Sequence, residues 1–425
     1  MNDFTNININ GVRYDVKDET SRNLAGSWRN EYNVLDFGAS GDGVTDDYSS
    51  ISEAISAAAV THGVVLFPAN RTFLISQTLN IPSGVSLKST GFAYRGIDYP
   101  VITTNSPTIT LVNIVGSPVD VEFGGTATCI TLQSIALSRK VSAGASSIGV
   151  NVQYAQFINI VNCPISNCLT CVAFANVNGL TIRDSTFSND VTAAGGYAIR
   201  KSNTQGATGI TVDNLIYYSQ SAQSVCIYDR TGGGQAGDRY YNNIQAAGDI
   251  YRVIDYASAG GFSEHVFIQG ISADSVYGTG IYIDGAGTTD PDLVHSACIS
   301  NCWFNGSASG TADAIVVYGY AHVHISNVSH TESNQYGGIV VFTNALDCVA
   351  SNLTLANRDA TTGVRAAHIS GTSKNCIISG MVTTATGAIW VDASCANCII
   401  MGCILKETVQ NASSTSIVAN NVVIS

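Results

Sequence analysis

From Leu111 to the end of the chain, apolar and polar positions follow one recurring pattern. An apolar anchor is followed two places on by Asn, Asp, Ser or Gly, and the next residue is mostly apolar again. Ile160 to Cys163, Val212 to Leu215, Ile299 to Cys302 and Ile325 to Val328 are examples. The thirteen anchors are Leu111, Leu132, Ile160, Ile182, Val212, Tyr241, Ile268, Ile299, Ile325, Ala350, Ile378, Ile400 and Val418, with steps of 18 to 31 residues. Eight of the thirteen marked positions are Asn, and all but Ser134 are of types that enter the left-handed αL region at low cost. A strand that buries alternate residues, turns at an αL residue and buries the next one forms a corner of a β-solenoid coil.

A second apolar alternation precedes many anchors, at residues 281–283, 315–317, 339–341 and 389–391. Each coil therefore holds at least two short strands. The spacing predicts an all-β, single-stranded right-handed parallel β-helix (β-solenoid), with like residues of neighbouring coils about 4.8 Å apart. The right hand follows from the preference of parallel crossovers. Variable step length places insertions in turns.

Before the repeat, Tyr48, Ile51, Ile55, Ala58 and Ala59 recur at helical spacing, with Thr45, Asp46 or Asp47 available as cap. Strands are expected at 64–68, 72–75 and 85–87. A helix here covers the open end of the solenoid, which otherwise exposes strand edges and core. Three regions result: a polar attachment segment (1–30), a β-helix cap (31–100) and the parallel β-helix body (101–425).

Composition fits a thin core of small β-branched residues: 12% charged, 45% hydrophobic and 41 Gly. A formal charge of −12 argues against nucleic acid or anionic membrane as partner. No run of 18 apolar residues predicts membrane insertion, and the first thirty residues lack a secretory signal. Among the twelve cysteines, Cys348, Cys376 and Cys398 share one inward place, and Cys163, Cys302 and Cys403 follow the turn; they read as core thiols. Cys168/Cys171 and Cys395/Cys398 look like half zinc sites without a second pair at zinc-finger spacing. His322, His324, His330 and Glu332 could gather a metal but read more simply as surface residues. No metal or cofactor is expected.

The string "NVLDFGASGDGVTDD" at 33–47, the helix after it and "GVVLFPANRTFLIS" at 63–76 resemble the opening of the pectate-lyase-like right-handed parallel β-helix superfamily. Within it, the resemblance points to bacteriophage tailspikes and tail proteins. It implies a homotrimer on the virion tail, held through residues 1–30 by a tail or baseplate protein. It further implies binding, and often cleavage, of bacterial surface polysaccharide (capsule, O-antigen or exopolysaccharide), and synthesis in the host cytoplasm. The polygalacturonase signatures of the superfamily are not recognisable, so no catalytic residue carries over. The Asp36–Asp47 motif itself reads as a turn and helix cap.

Candidate chemistry gathers where strands end in an acid: Asp229, Asp255 and Asp284. Aligned by their strands they form a column, with Asp229 uncertain by one residue because Val225/Ile227 compete with Cys226/Tyr228 as the inward pair. Long insertions follow, bringing Arg230, Asp238, Arg239, Tyr240, Glu264, His265, Asp290 and Asp292. Nine of the 19 tyrosines lie within 217–282, among them Tyr228, Tyr240, Tyr251, Tyr256 and Tyr282. Sugar rings stack on tyrosine while their hydroxyls bond Asp and Arg, and glycoside hydrolysis needs two carboxyl groups. Asp255 and Asp284 are the first catalytic candidates, with Asp229 and Glu264 next. Tyr228, Arg230, Asp238, Arg239, Tyr240, Tyr251, Tyr256 and Tyr282 are the substrate-binding candidates. Binding without cleavage, turn structure, and a lyase with calcium on the acids and an Arg as base remain open.

Overall fold

The computed structural model describes residues 30–90, 98–118, 125–189, 195–202, 206–231, 237–258, 264–285, 295–306, 313–332, 337–357, 365–383 and 387–424, and the backbone of 6–9 and 12–15. The strands Asn6–Ile9 and Val12–Asp15 pair antiparallel; from Glu31 onward every strand pairing is parallel. The chain winds as a solenoid with three strand faces per coil.

The anchors line up along the axis. Leu132, Ile160, Ile182, Val212, Tyr241, Ile268, Ile299, Ile325, Ala350, Ile378, Ile400 and Val418 occupy one continuous register, each paired with the next. Upstream the same column continues through Leu87 and Val65. Most of these side chains are fully buried. The marked position after each has positive φ, from Ser134 (57°) through Asn162, Asp184 and Asn301 to Asn420 (55°). The backbone bends there, and Ile135, Cys163, Leu215, Ile244 and Cys302 are buried just past the bend.

Leu111 is the exception. Its neighbour Val112 pairs with Leu79 and Val150, on a different face from the anchor column. Asn113 accordingly has no left-handed φ but stands outward in an Asn80, Asn113, Asn151 ladder, with amide bonds of 3.0 and 2.8 Å. The local string copies the corner pattern without forming the corner.

The helix Tyr48–Thr61 buries Ile51, Ala54, Ile55 and Ala58 in the core shared with Val34 and Val65. Its first N–H group is met by Asp46, whose Oδ1 accepts from Tyr48 N at 3.1 Å. Asp47 instead accepts from Ser40 and Gly41 N–H and ties the preceding turn. Among the described residues no helix is long and apolar enough to cross a membrane. Cys348, Cys376 and Cys398 are buried in successive coils, and burial pushes the Cys163 thiol up to about 11, so these thiols behave as small core residues.

Candidate functional site

One face is built from the strands Tyr197–Lys201, Val225–Thr231, Arg252–Ser258 and Ile281–Asp284. Their register sets Ile199, Ile227, Ile254 and Ile281 side by side as core. One residue on, Arg200, Tyr228, Asp255 and Tyr282 form an outward column. Two further places along, Arg230, Ala257 and Asp284 form a second one. The period of two in a strand dictates both.

Asp255 is the centre of this surface. Its Oδ1 accepts from Arg230 Nε at 2.7 Å and its Oδ2 from Arg252 Nη1 at 2.6 Å, with 7% of the side chain exposed. Arg230 Nη2 also lies 3.4 Å from Asp284 Oδ2. Burial opposes the Arg230 charge, but the hydrogen bond and charge of Asp255, with Asp284, outweigh it and raise its pKa. The Tyr282 ring packs beneath both guanidinium groups, 4.2 Å from Arg252 Cζ and 5.5 Å from Arg230 Cζ. The Tyr251 ring lies 5.0 Å from Arg252 Cζ and is exposed. Upstream, Arg200 covers Tyr197 at 4.7 Å, and Tyr197 meets Tyr228 edge to face at 5.4 Å. The arrangement brings tyrosine rings, guanidinium groups fixed by Asp255 and the part-exposed Asp284 carboxylate together on one strand face.

The expected column of three acids does not form. Asp229 pairs in register with Tyr256 and Ile283, facing inward, whereas Asp255 pairs with Tyr228 and Tyr282, facing outward. Asp284 falls opposite Ala257, one coil over and two residues on from Asp255. Of the two inward pairs the sequence allowed, Val225 with Ile227 is the one adopted, and Asp229 continues that inward side.

Asp229, Arg239 and Tyr256 are therefore core residues and not glycan-facing ones, each fully buried. Arg239 Nε donates to Asp229 Oδ2 at 2.6 Å and Tyr241 OH donates to the same oxygen at 2.7 Å. Burial opposes the Arg239 charge, yet Asp229, with Tyr241 and Tyr256, holds its pKa above the usual arginine range. Asp238 and Tyr240 sit elsewhere, the first just before and the second within the anchor strand Arg239–Ala247. There Tyr240 stacks on Phe267 at 5.2 Å, and Asp238 Oδ1 lies 3.0 Å from His265 Nδ1. The Glu264 side chain, Asp290 and Asp292 lie outside the described residues. His330 is buried, away from the outward His324, so the histidines do not gather.

Sequence reasoning missed Arg252 and Tyr197 and left Arg200 unassigned. The available signal for the first two was a basic or aromatic residue opening the strands Arg252–Ser258 and Tyr197–Lys201, just before the apolar alternation.

Comparisons with known proteins agree with this fold. The family described as rhamnogalacturonase A/epimerase, pectate lyase-like, matches residues 31–227. The tail spike protein of Shigella phage Sf6 is 33% identical over 88 residues, 20% of this chain and 14% of that protein. The chain thus matches about a seventh of that relative's length. Among solved structures, the tailspike protein of E. coli bacteriophage HK620, crystallised as a mutant with a pentasaccharide, superposes with TM-score 0.67 at 12% identity, covering 98% of this chain and 84% of that one. The mannuronan C-5 epimerase A-module of Azotobacter vinelandii gives 0.59 at 17% identity, covering 93% and 99%. By register, turn chemistry and these likenesses, the chain has the right-handed parallel β-helix fold, is similar over residues 31–227 to the pectate-lyase-like family, and shares its fold with the phage tailspike compared.

Proposed function

We propose that this protein is a homotrimeric phage tailspike that binds a bacterial surface polysaccharide on the Tyr228, Asp255, Tyr282 face and hydrolyses it. In this reading residues 1–30 mount it on the virion tail. The observation that carries the reading is the outward strip of Tyr197, Arg200, Tyr228, Arg230, Arg252, Asp255 and Tyr282, held in register on one face. Such a strip supplies stacking surfaces and a charged hydrogen-bonding set together, the combination a pyranose chain requires. The likeness to a tail spike protein and to a tailspike solved with a pentasaccharide supports the same assignment.

For hydrolysis the carboxyl pair is Asp255 and Asp284. One coil and two residues of stagger place their α-carbons about 8 Å apart, and the Arg230 guanidinium reaches both carboxylates. The second reading is binding without cleavage. It is favoured by one feature: both oxygens of Asp255 are taken by arginines, which suits a fixed recognition element.

Incubating the protein with host capsule or lipopolysaccharide and sizing the glycan separates the readings. Repeat-unit fragments that disappear in Asp284→Asn and Asp255→Asn support hydrolysis. Tight binding to polymer of unchanged length supports the second reading, and no binding to any surface polysaccharide of the host rejects both.

A further inference from the structure

Farther along the same face lies a second cluster that the hydrolytic reading leaves unused. The outward column containing Asp255 and Tyr282 continues through Val316 and Val341 to His368 and Trp390. His368 is held on both ring nitrogens. Arg365 Nη1 lies 2.9 Å from its Nδ1, and Asp392 Oδ1 lies 2.9 Å from its Nε2. A guanidinium only donates, so Nδ1 accepts, and Nε2 carries the proton and donates to Asp392. The Arg365 guanidinium also lies 4.7 Å from the Trp390 ring, and the indole is 39% exposed.

This is an unusual arrangement for a merely structural ion network. Among the described residues Arg365 lies within ion-pair distance of no carboxylate; it meets an imidazole and an indole, and its charge acts on the buried Asp313 carboxyl. Asp392 spends one oxygen on His368 while its side chain is 42% exposed. An exposed indole, a guanidinium with N–H groups to spare and a carboxylate acceptor stand together on an open strand face. Those are the groups that stack one side of a pyranose and bridge a pair of its hydroxyls.

We propose that Trp390, Arg365, His368 and Asp392 form a second saccharide subsite, occupied by a distal pyranose of the same chain that the Asp255 cluster binds. The proposal rests on the polysaccharide-binding reading. Four coil steps separate Tyr282 from Trp390, about 19 Å along the axis. The half-buried Val316 and Val341 lie between, and the exposed Tyr318 flanks them in the neighbouring outward column, giving a low apolar floor for intervening rings. Only an extended oligosaccharide can reach both ends.

The test is calorimetric titration of the full chain with short and long fragments of one host surface polysaccharide, cut chemically and sized. In the wild type, fragments long enough to span the two clusters bind roughly tenfold tighter than those reaching only one. In Trp390→Ala that advantage disappears while short-fragment affinity and the melting temperature stay unchanged, and Trp390→Phe restores most of it. A length advantage that survives Trp390→Ala overturns the subsite, as does a wild type indifferent to length. If Tyr282→Ala abolishes binding while Trp390→Ala changes nothing, the main assignment stands and this one falls. Wild-type protein that binds no fragment of any length overturns both.

Discussion

Arg239 and Asp229 form an ion pair inside the solenoid, with Nε and Oδ2 2.6 Å apart and neither side chain exposed. Two charges in such a place hold together only as a pair. Arg239→Met leaves Asp229 buried without its ion-pair partner, with the Tyr241 hydroxyl still donating to it, at an expected cost of about 3–5 kcal/mol. Adding Asp229→Leu should recover most of that, since a packed apolar pair replaces a fully desolvated one. Thermal unfolding of the two variants checks the order. The folded fraction of Asp229→Asn keeps its glycan affinity, because this acid faces the core.

The turn residues give a second expectation. Asn327 has φ of 55°, donates to Asn301 Oδ1 at 3.1 Å and accepts from Asn352 Nδ2 at 3.4 Å. Asn327→Ala loses the ladder and forces an alanine into αL, which alone costs about 1–2 kcal/mol. Asn327→Gly loses only the ladder. Stability should fall in the order wild type, Gly, Ala; equal losses would mean that the left-handed turn carries no weight.

Asp313 supplies a pH test. Burial raises its pKa, against the Gly338 N–H bond and the nearby charges of His368 and Arg365. A carboxyl with a raised folded pKa binds its proton more readily in the folded state. It therefore lowers stability as pH rises from the ordinary carboxylate range through the folded value. Asp313→Asn keeps an oxygen for Gly338 N–H and should raise the melting temperature at neutral pH. That gain should shrink to nothing in acid, below the unfolded carboxylate pKa. A constant gain across pH would contradict the raised value.

The anchor column and its turns were legible in the sequence because a solenoid repeats the same burial at every coil. Leu132 to Val418 fell into one register, and even Ser134 proved left-handed. Leu111 misled because four residues can copy a corner while the preceding coil, paired through Val112, decides which face they occupy. The site was less legible for the same reason. Val225, Cys226 and Ile227 are all buried, so alternation could not fix the side on which Asp229 falls. The pairing of Ile227 with Ile254 fixes it, and that is a contact between coils. The arginine clamp on Asp255 was equally hidden, since Arg252 stands on the same strand but Arg230 reaches across from the coil before.

The central assignment is that the glycan lies on the Asp255 face. Equilibrium binding of host surface polysaccharide to two paired variants tests it most directly. Tyr228→Ala with Tyr282→Ala removes the platforms beside Asp255; Tyr240→Ala with Phe267→Ala removes the stacked pair beside the anchor strand. The account predicts affinity at least roughly tenfold weaker in the first and unchanged in the second. Full affinity in the first variant, with loss in the second, would move the binding face and contradict it.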